Sequence, residues 1–125
     1  MSILKVNSIE EATSGGATFY TNKAWVNFTA YSSFGIRGSA NVSSVNDNGT
    51  GLFKVNYSNN LPSSTYAAIA SAGSDGTTYA DGNQGIDHLE TMGLISTSSV
   101  YVFSVDADDG ALDDPQYMGV TATTA

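Results

Sequence analysis

The sequence predicts an all-β fold: an antiparallel β-sandwich or jelly-roll-like domain of about eight strands. An extended arm with a glycine hinge is expected over residues 1–16, and a single domain over residues 17–125. Three observations lead there. Short runs of alternating apolar and polar residues recur, with turn signals roughly every eight to twelve residues. No stretch keeps a helical period, and no heptads are present. The composition is that of a sheet protein: 41% of the 125 residues are hydrophobic, enough for one core, while only 13% are charged.

The same composition excludes several function classes. With no Cys there is no disulfide framework, no thiol nucleophile and no Cys-ligated zinc. A net charge of −8, with only 4 Lys and Arg, argues against nucleic acid and against anionic membranes as partners. The N-terminus lacks the pattern of a signal peptide, and no apolar run is long enough to cross a bilayer as a helix.

Taken in order, the chain opens with Ile3, Leu4 and Val6, interrupted by Lys5 and followed by the breaker around Gly15 and Gly16. This segment reads either as an edge strand of its own domain or as an arm that adds to a partner's sheet. Three strand-like runs follow within residues 23–57. In the first, Ala24, Val26 and Phe28 share one face and place Trp25 on the other. Trp25 is therefore expected either at a neighbouring subunit or second sheet, or across its own domain's surface. In the second run, Phe34, Ile36, Ala40 and Val42 continue the alternation, with Gly35 and Gly38 as bend or bulge positions. Residues 46–51, NDNGTG, make the clearest hairpin turn of the chain. Phe53, Val55 and Tyr57 return from it.

Residues 59–64 read as a loop, and residues 66–72, YAAIASA, as a strand of small side chains suited to a tightly packed layer. Residues 74–87 form a long polar loop or ragged hairpin, a contact surface in which Tyr79 is the outward aromatic. Residues 89–96 read as a strand with mixed faces. The nearly all-apolar residues 100–105 are expected to run back as a central strand. An acidic loop follows at residues 106–114. Residues 117–122 close the domain, leaving residues 123–125 as a polar tail.

Catalytic chemistry is hard to assemble from these residues. His88 is the only His; beside Asp87 it reads as a strand-end or interface residue rather than the base of a triad. The five Asp in residues 106–114 invite a calcium reading. Gly110, however, occupies the place of the third oxygen ligand and no Glu closes the loop, so a solvated turn is the default. Paired carboxylates for glycoside cleavage are not suggested, because the acidic residues fall in loops. Asn27, Asn41, Asn48 and Asn56 stand in glycosylation sequons, as chance alone gives in a chain so rich in Asn, Ser and Thr. No enzyme activity, cofactor or metal is expected.

Residues 24–28 (AWVNF), Ile36-Arg37, residues 41–45 (NVSSV) and residues 47–51 (DNGTG) resemble a β module of tailed-bacteriophage virion proteins, cyanophages included. The Val55-Asn56-Tyr57 strand, Pro62, Tyr66-Ala67, the opening Leu4-Lys5-Val6-Asn7 and the closing strand around Tyr117 match its later and terminal members. The resemblance is most specific over residues 24–57 and weakens after Tyr66. It implies a homotrimer without catalysis, located on the outer surface of the virion. The chain has no shaft before the module, and a domain of this size spans only a few tens of ångströms. The favoured expectation is therefore a capsid cement or decoration protein that stabilises the shell. Its partners would be its own copies and the major capsid protein, with Ile3, Leu4 and Val6 as the anchoring arm. The alternative is a short tail or head fibre that binds a host surface glycan or receptor.

Overall fold

The computed structural model describes residues 2–5, 21–73, 84–85, 95–106 and 110–124. They form nine strands: β1 (Thr21–Thr29), β2 (Gly35–Ala40), β3 (Val42–Gly49), β4 (Leu52–Tyr57), β5 (Ala67–Gly73), β6 (Gln84–Gly85), β7 (Ser99–Phe103), β8 (Val105–Asp106) and β9 (Tyr117–Thr124). Seven make two antiparallel sheets, ordered β2-β1-β9-β5 and β3-β4-β7, and β6 pairs with β8 in a short ribbon. The fold is all-β and sandwich-like, as the alternation predicts.

The alternating residues decide which faces meet. Ala24, Val26 and Phe28 of β1 and Met118, Val120 and Ala122 of β9 are buried from the first sheet. Val45, Phe53, Val55, Tyr57, Val100 and Val102 meet them from the second, in one continuous core. Ala68 and Ala70 of β5 pack against it as well, and their small side chains let this edge strand lie close, as expected. Phe28 and Phe53 touch edge to face, with centroids 5.1 Å apart, and Phe34 caps the pair from the end of the sandwich.

Three boundaries differ from the reading of the sequence, each for a backbone reason. The alternating run beyond Phe34 is two strands in different sheets, divided at Asn41, whose φ is 53°. Asn tolerates this left-handed conformation because its side chain bonds locally. Here Nδ2 donates to the carbonyls of Lys23 (3.0 Å) and Asn59 (3.1 Å), and Oδ1 accepts from the Asn59 N–H (2.8 Å). A count of alternating residues cannot register that one of them turns the chain out of its sheet.

The apolar run from Val100 also breaks, at Ser104. The Ser104 N–H donates to Gly51 and its carbonyl accepts from Asp113, so its backbone is tied to the β3–β4 turn rather than to a ladder. Among the described residues β7 is the last strand of its sheet, with one antiparallel bridge, Ile95↔Val100, on its other side. Finally, Thr123 and Thr124 are no tail; they continue β9 and pair with Asn22 and Thr21. The predicted bulge beside Gly38 is present, since the β1–β2 register steps from Asn27↔Gly38 to Phe28↔Ile36 and leaves Arg37 over.

Where β4 leaves for β5, two tyrosines lock the crossing. The Tyr57 hydroxyl donates to the Tyr66 oxygen (3.1 Å), and the Tyr66 hydroxyl is shared by the carbonyls of Ser96 and Ser99 (both 3.2 Å). Burial raises both phenols above the ordinary tyrosine value, and for Tyr57 the bond to Tyr66 raises it further. A phenol whose folded pKa lies above its unfolded one contributes stability that is complete below the unfolded value and is lost as pH rises through the folded one. The domain is therefore expected to hold its unfolding midpoint up to about pH 10, the ordinary tyrosine pKa, and to lose stability above it. Denaturant titrations from pH 8 to 11.5 check this. The slope above pH 10 should flatten in Tyr57→Phe and Tyr66→Phe; an unchanged slope in both sinks the assignment.

Candidate functional site

The two outer faces of the sandwich differ in kind. On the second sheet, side chains close over one another: Asn56 Nδ2 donates to Ser44 Oγ (3.0 Å) and Asn46 Oδ1 (2.6 Å), and Lys54 lies over the Tyr101 ring (5.3 Å). The first sheet instead presents an open trough of about 510 Å³.

Register builds this trough from three strands. Trp25 of β1, Thr121 of β9 and Ile69 of β5 lie in one cross-strand row. Asn27, Gly119 and Ser71 lie in the next outward row. Neighbouring side chains in a row stand close enough to touch. Trp25, 41% exposed, makes one wall and Ile69, 66% exposed, the other. Gly119 leaves the floor low. A Cβ there would stand 3.4 Å from Ser71 Oγ and 4.0 Å from Asn27 Nδ2, so two polar side chains converge over the spot a side chain would fill.

Two further contacts fix the side chains that β1 contributes, Trp25 and Asn27. The Trp25 ring leans over Gly38, where a Cβ would come within 3.2 Å of the ring edge. Arg37, set outward by the bulge, donates from Nη1 to Asn27 Oδ1 (3.2 Å) and lies over the Tyr117 ring at 4.4 Å. Asn27 Oδ1 is thereby occupied and its Nδ2 left toward the trough. None of the residues lining the trough is charged.

No protein-family model matches the chain, and no curated protein or solved structure matches it either.

Of the residues singled out in the sequence, Trp25 does face outward. Ile3 and Leu4 are 71% and 86% exposed. Val6, Tyr79 and His88 lie outside the described residues. Of the acidic loop, the Asp114 carboxylate has a defined part: its Oδ1 accepts from the Gly51 N–H at 2.7 Å and ties the loop to the hairpin turn. Among the described residues no group of three His, Cys, Asp or Glu is placed to hold a metal. Sequence reasoning missed Ile69, Ser71 and Gly119. Alternation alone sends Ile69 outward between Ala68 and Ala70, but nothing local says that β9 lies between β1 and β5.

Besides the trough, a second surface is left unfinished. Phe34 and Ile36 are half-exposed where β2 overhangs the core, with Tyr31 beside them. Ile36 stands opposite the buried Phe28 in the ladder, so its side chain lies on the core side of the sheet at its open edge. Among the described residues β2 pairs on one side only.

Proposed function

We propose that this chain is a non-catalytic structural protein of a tailed-phage particle, a homotrimeric decoration protein that binds and stabilises the capsid shell. The phage assignment rests on the resemblance over residues 24–57. The single observation that carries the assembly is the open β2 edge. It combines exposed apolar residues, Tyr31, Phe34 and Ile36, with a strand whose outer backbone groups have no ladder partner among the described residues. A second subunit placed there would bury apolar surface and pair the strand together.

The exposed Ile3 and Leu4, with Val6, are the arm that ties each subunit to the shell or to a neighbour. Three such arms act together once one is engaged, which multiplies modest contacts into avidity. Binding only the assembled shell then favours that shell by linkage.

The sequence also offers Trp25 as a subunit contact. The edge fits that role better, because the Trp25 trough is concave and carries polar side chains that a neighbouring sheet would leave unpaired. Light scattering on size-exclusion fractions tests both. Ile36→Asp is expected to reduce a trimer to monomers with the strand spectrum unchanged. A wild-type monomer, or a trimer that survives Ile36→Asp and falls apart in Trp25→Ala, overturns the edge assignment. The shell role is tested by copy number in purified virions. A number approaching that of the major capsid protein supports decoration, and a few trimers per particle supports the second reading, a short fibre that binds the host surface. That second reading is favoured by one observation, the trough itself.

A further inference from the structure

We infer that the trough on the β2-β1-β9-β5 sheet is a binding site for a neutral pyranose, one or two rings of a saccharide. Its volume, about 510 Å³, lies within the range of ligand sites, roughly 300–1,000 Å³. Such sites pair apolar walls with a few fixed polar groups, and this one has Trp25 and Ile69 as walls and Asn27 Nδ2, Ser71 Oγ and Thr121 between them.

Charge selects among occupants. The lining holds no carboxylate to attract a basic peptide. The lining holds no cation either, and Arg37, which bonds the lining residue Asn27, is further engaged by Tyr117. An anion would therefore meet no free positive group there and would approach a chain of net charge −8. What fits is an uncharged molecule with an apolar face for an aromatic wall and hydroxyls for amide and hydroxyl groups. A pyranose has both. A purely apolar occupant would bury the Asn27 amide and Ser71 hydroxyl without partners, at about 1–3 kcal/mol each.

The two glycines of the Asn27 row give the site its shape. Gly38 lets the indole lean down beside the strand, and Gly119 opens the floor on which the polar groups converge. The lining residues lie on β1, β9 and β5, and none belongs to the open-edged strand β2. Variants of the site should thus leave oligomer mass and particle copy number untouched, and failure of this proposal is distinguishable from failure of the virion reading.

Trp25 is the chain's only Trp, so its fluorescence reports the site directly. The probes are methyl pyranosides of glucose, galactose, mannose and N-acetylglucosamine, with methyl glucuronide as the charged control, each titrated to about 100 mM, a range set by the weak affinity of so small a ligand. At least one neutral glycoside is expected to shift the emission saturably, and the glucuronide to bind more weakly. Ser71→Ala and Gly119→Ala should each weaken binding about tenfold, the equivalent of one good hydrogen bond, while keeping the wild-type unfolding midpoint within error. No saturable shift with any neutral glycoside overturns the proposal. So does equal binding by wild type and both variants. An emission that moves with protein concentration but not with sugar also overturns it, and assigns the trough to a second copy.

Discussion

Gly51→Ala is expected to destabilise the domain by roughly 3 kcal/mol or more. Two costs combine there. Gly51 has φ of 67°, the left-handed region, where a side chain costs about 1–2 kcal/mol. A Cβ would also meet backbone on three sides: the Ser104 carbonyl oxygen at 2.5 Å, the Asp113 nitrogen at 2.9 Å and the Asp113 oxygen at 3.0 Å. These atoms belong to the hydrogen-bonded junction of Gly51, Ser104, Asp113 and Asp114, so they cannot swing aside as a flexible side chain would. Forcing extra volume into such a site typically costs a further 1–3 kcal/mol. Gly110→Ala separates the two costs. Gly110 has nearly the same φ, 72°, but open space where its Cβ would stand, so only the conformational part applies. Urea midpoints should place Gly51→Ala well below Gly110→Ala. Equal losses would falsify the close-approach argument.

Phe28→Ala is expected to cost about 3–5 kcal/mol, a large share of the roughly 5–15 kcal/mol that holds a typical domain folded. The ring is fully buried between the sheets. It touches Phe53 edge to face at 5.1 Å and Phe34 at 5.9 Å, so truncation removes two aromatic contacts and opens a cavity between facing sheets. The ladders to β2 and β9 on either side of Phe28 keep the sheet from collapsing into the gap. Phe28→Leu loses the aromatic contacts but leaves a smaller cavity, and should cost distinctly less than Phe28→Ala. Chemical denaturation of the two variants side by side is the check. A Phe28→Ala loss no larger than that of Phe28→Leu would mean the site relaxes freely, against the packing described here.

The placement of these residues separates what local patterns reveal from what they do not. Ala24, Val26 and Phe28 alternate with Trp25 and Asn27, and the structure buries the first set and turns the second outward. The hairpin after β3 was likewise legible, because Gly49 and Gly51 supply the positive φ a tight turn needs. The trough was not. Trp25, Ile69 and Gly119 come from three distant parts of the chain, and only the insertion of β9 between β1 and β5 sets them side by side.

By itself, then, the sequence determined the fold class, the buried faces of β1 and β4 and the outward direction of Trp25. All follow from a period of two residues and the tolerance of Gly and Asn for positive φ, which are properties of short stretches. In β2 the bulge at Arg37 turns Ala40 outward, opposite Trp25, although the alternation groups it with Ile36. The tertiary structure decided that Asn41 sends the chain from one sheet to the other and that Ser104 turns away to bond Gly51 and Asp113. It also decided that β9 is an interior strand and that Gly119 is the floor of a site. Each depends on which distant groups complete a backbone hydrogen bond. That pairing is settled by the packing of two whole sheets against one core, not by any residue's near neighbours.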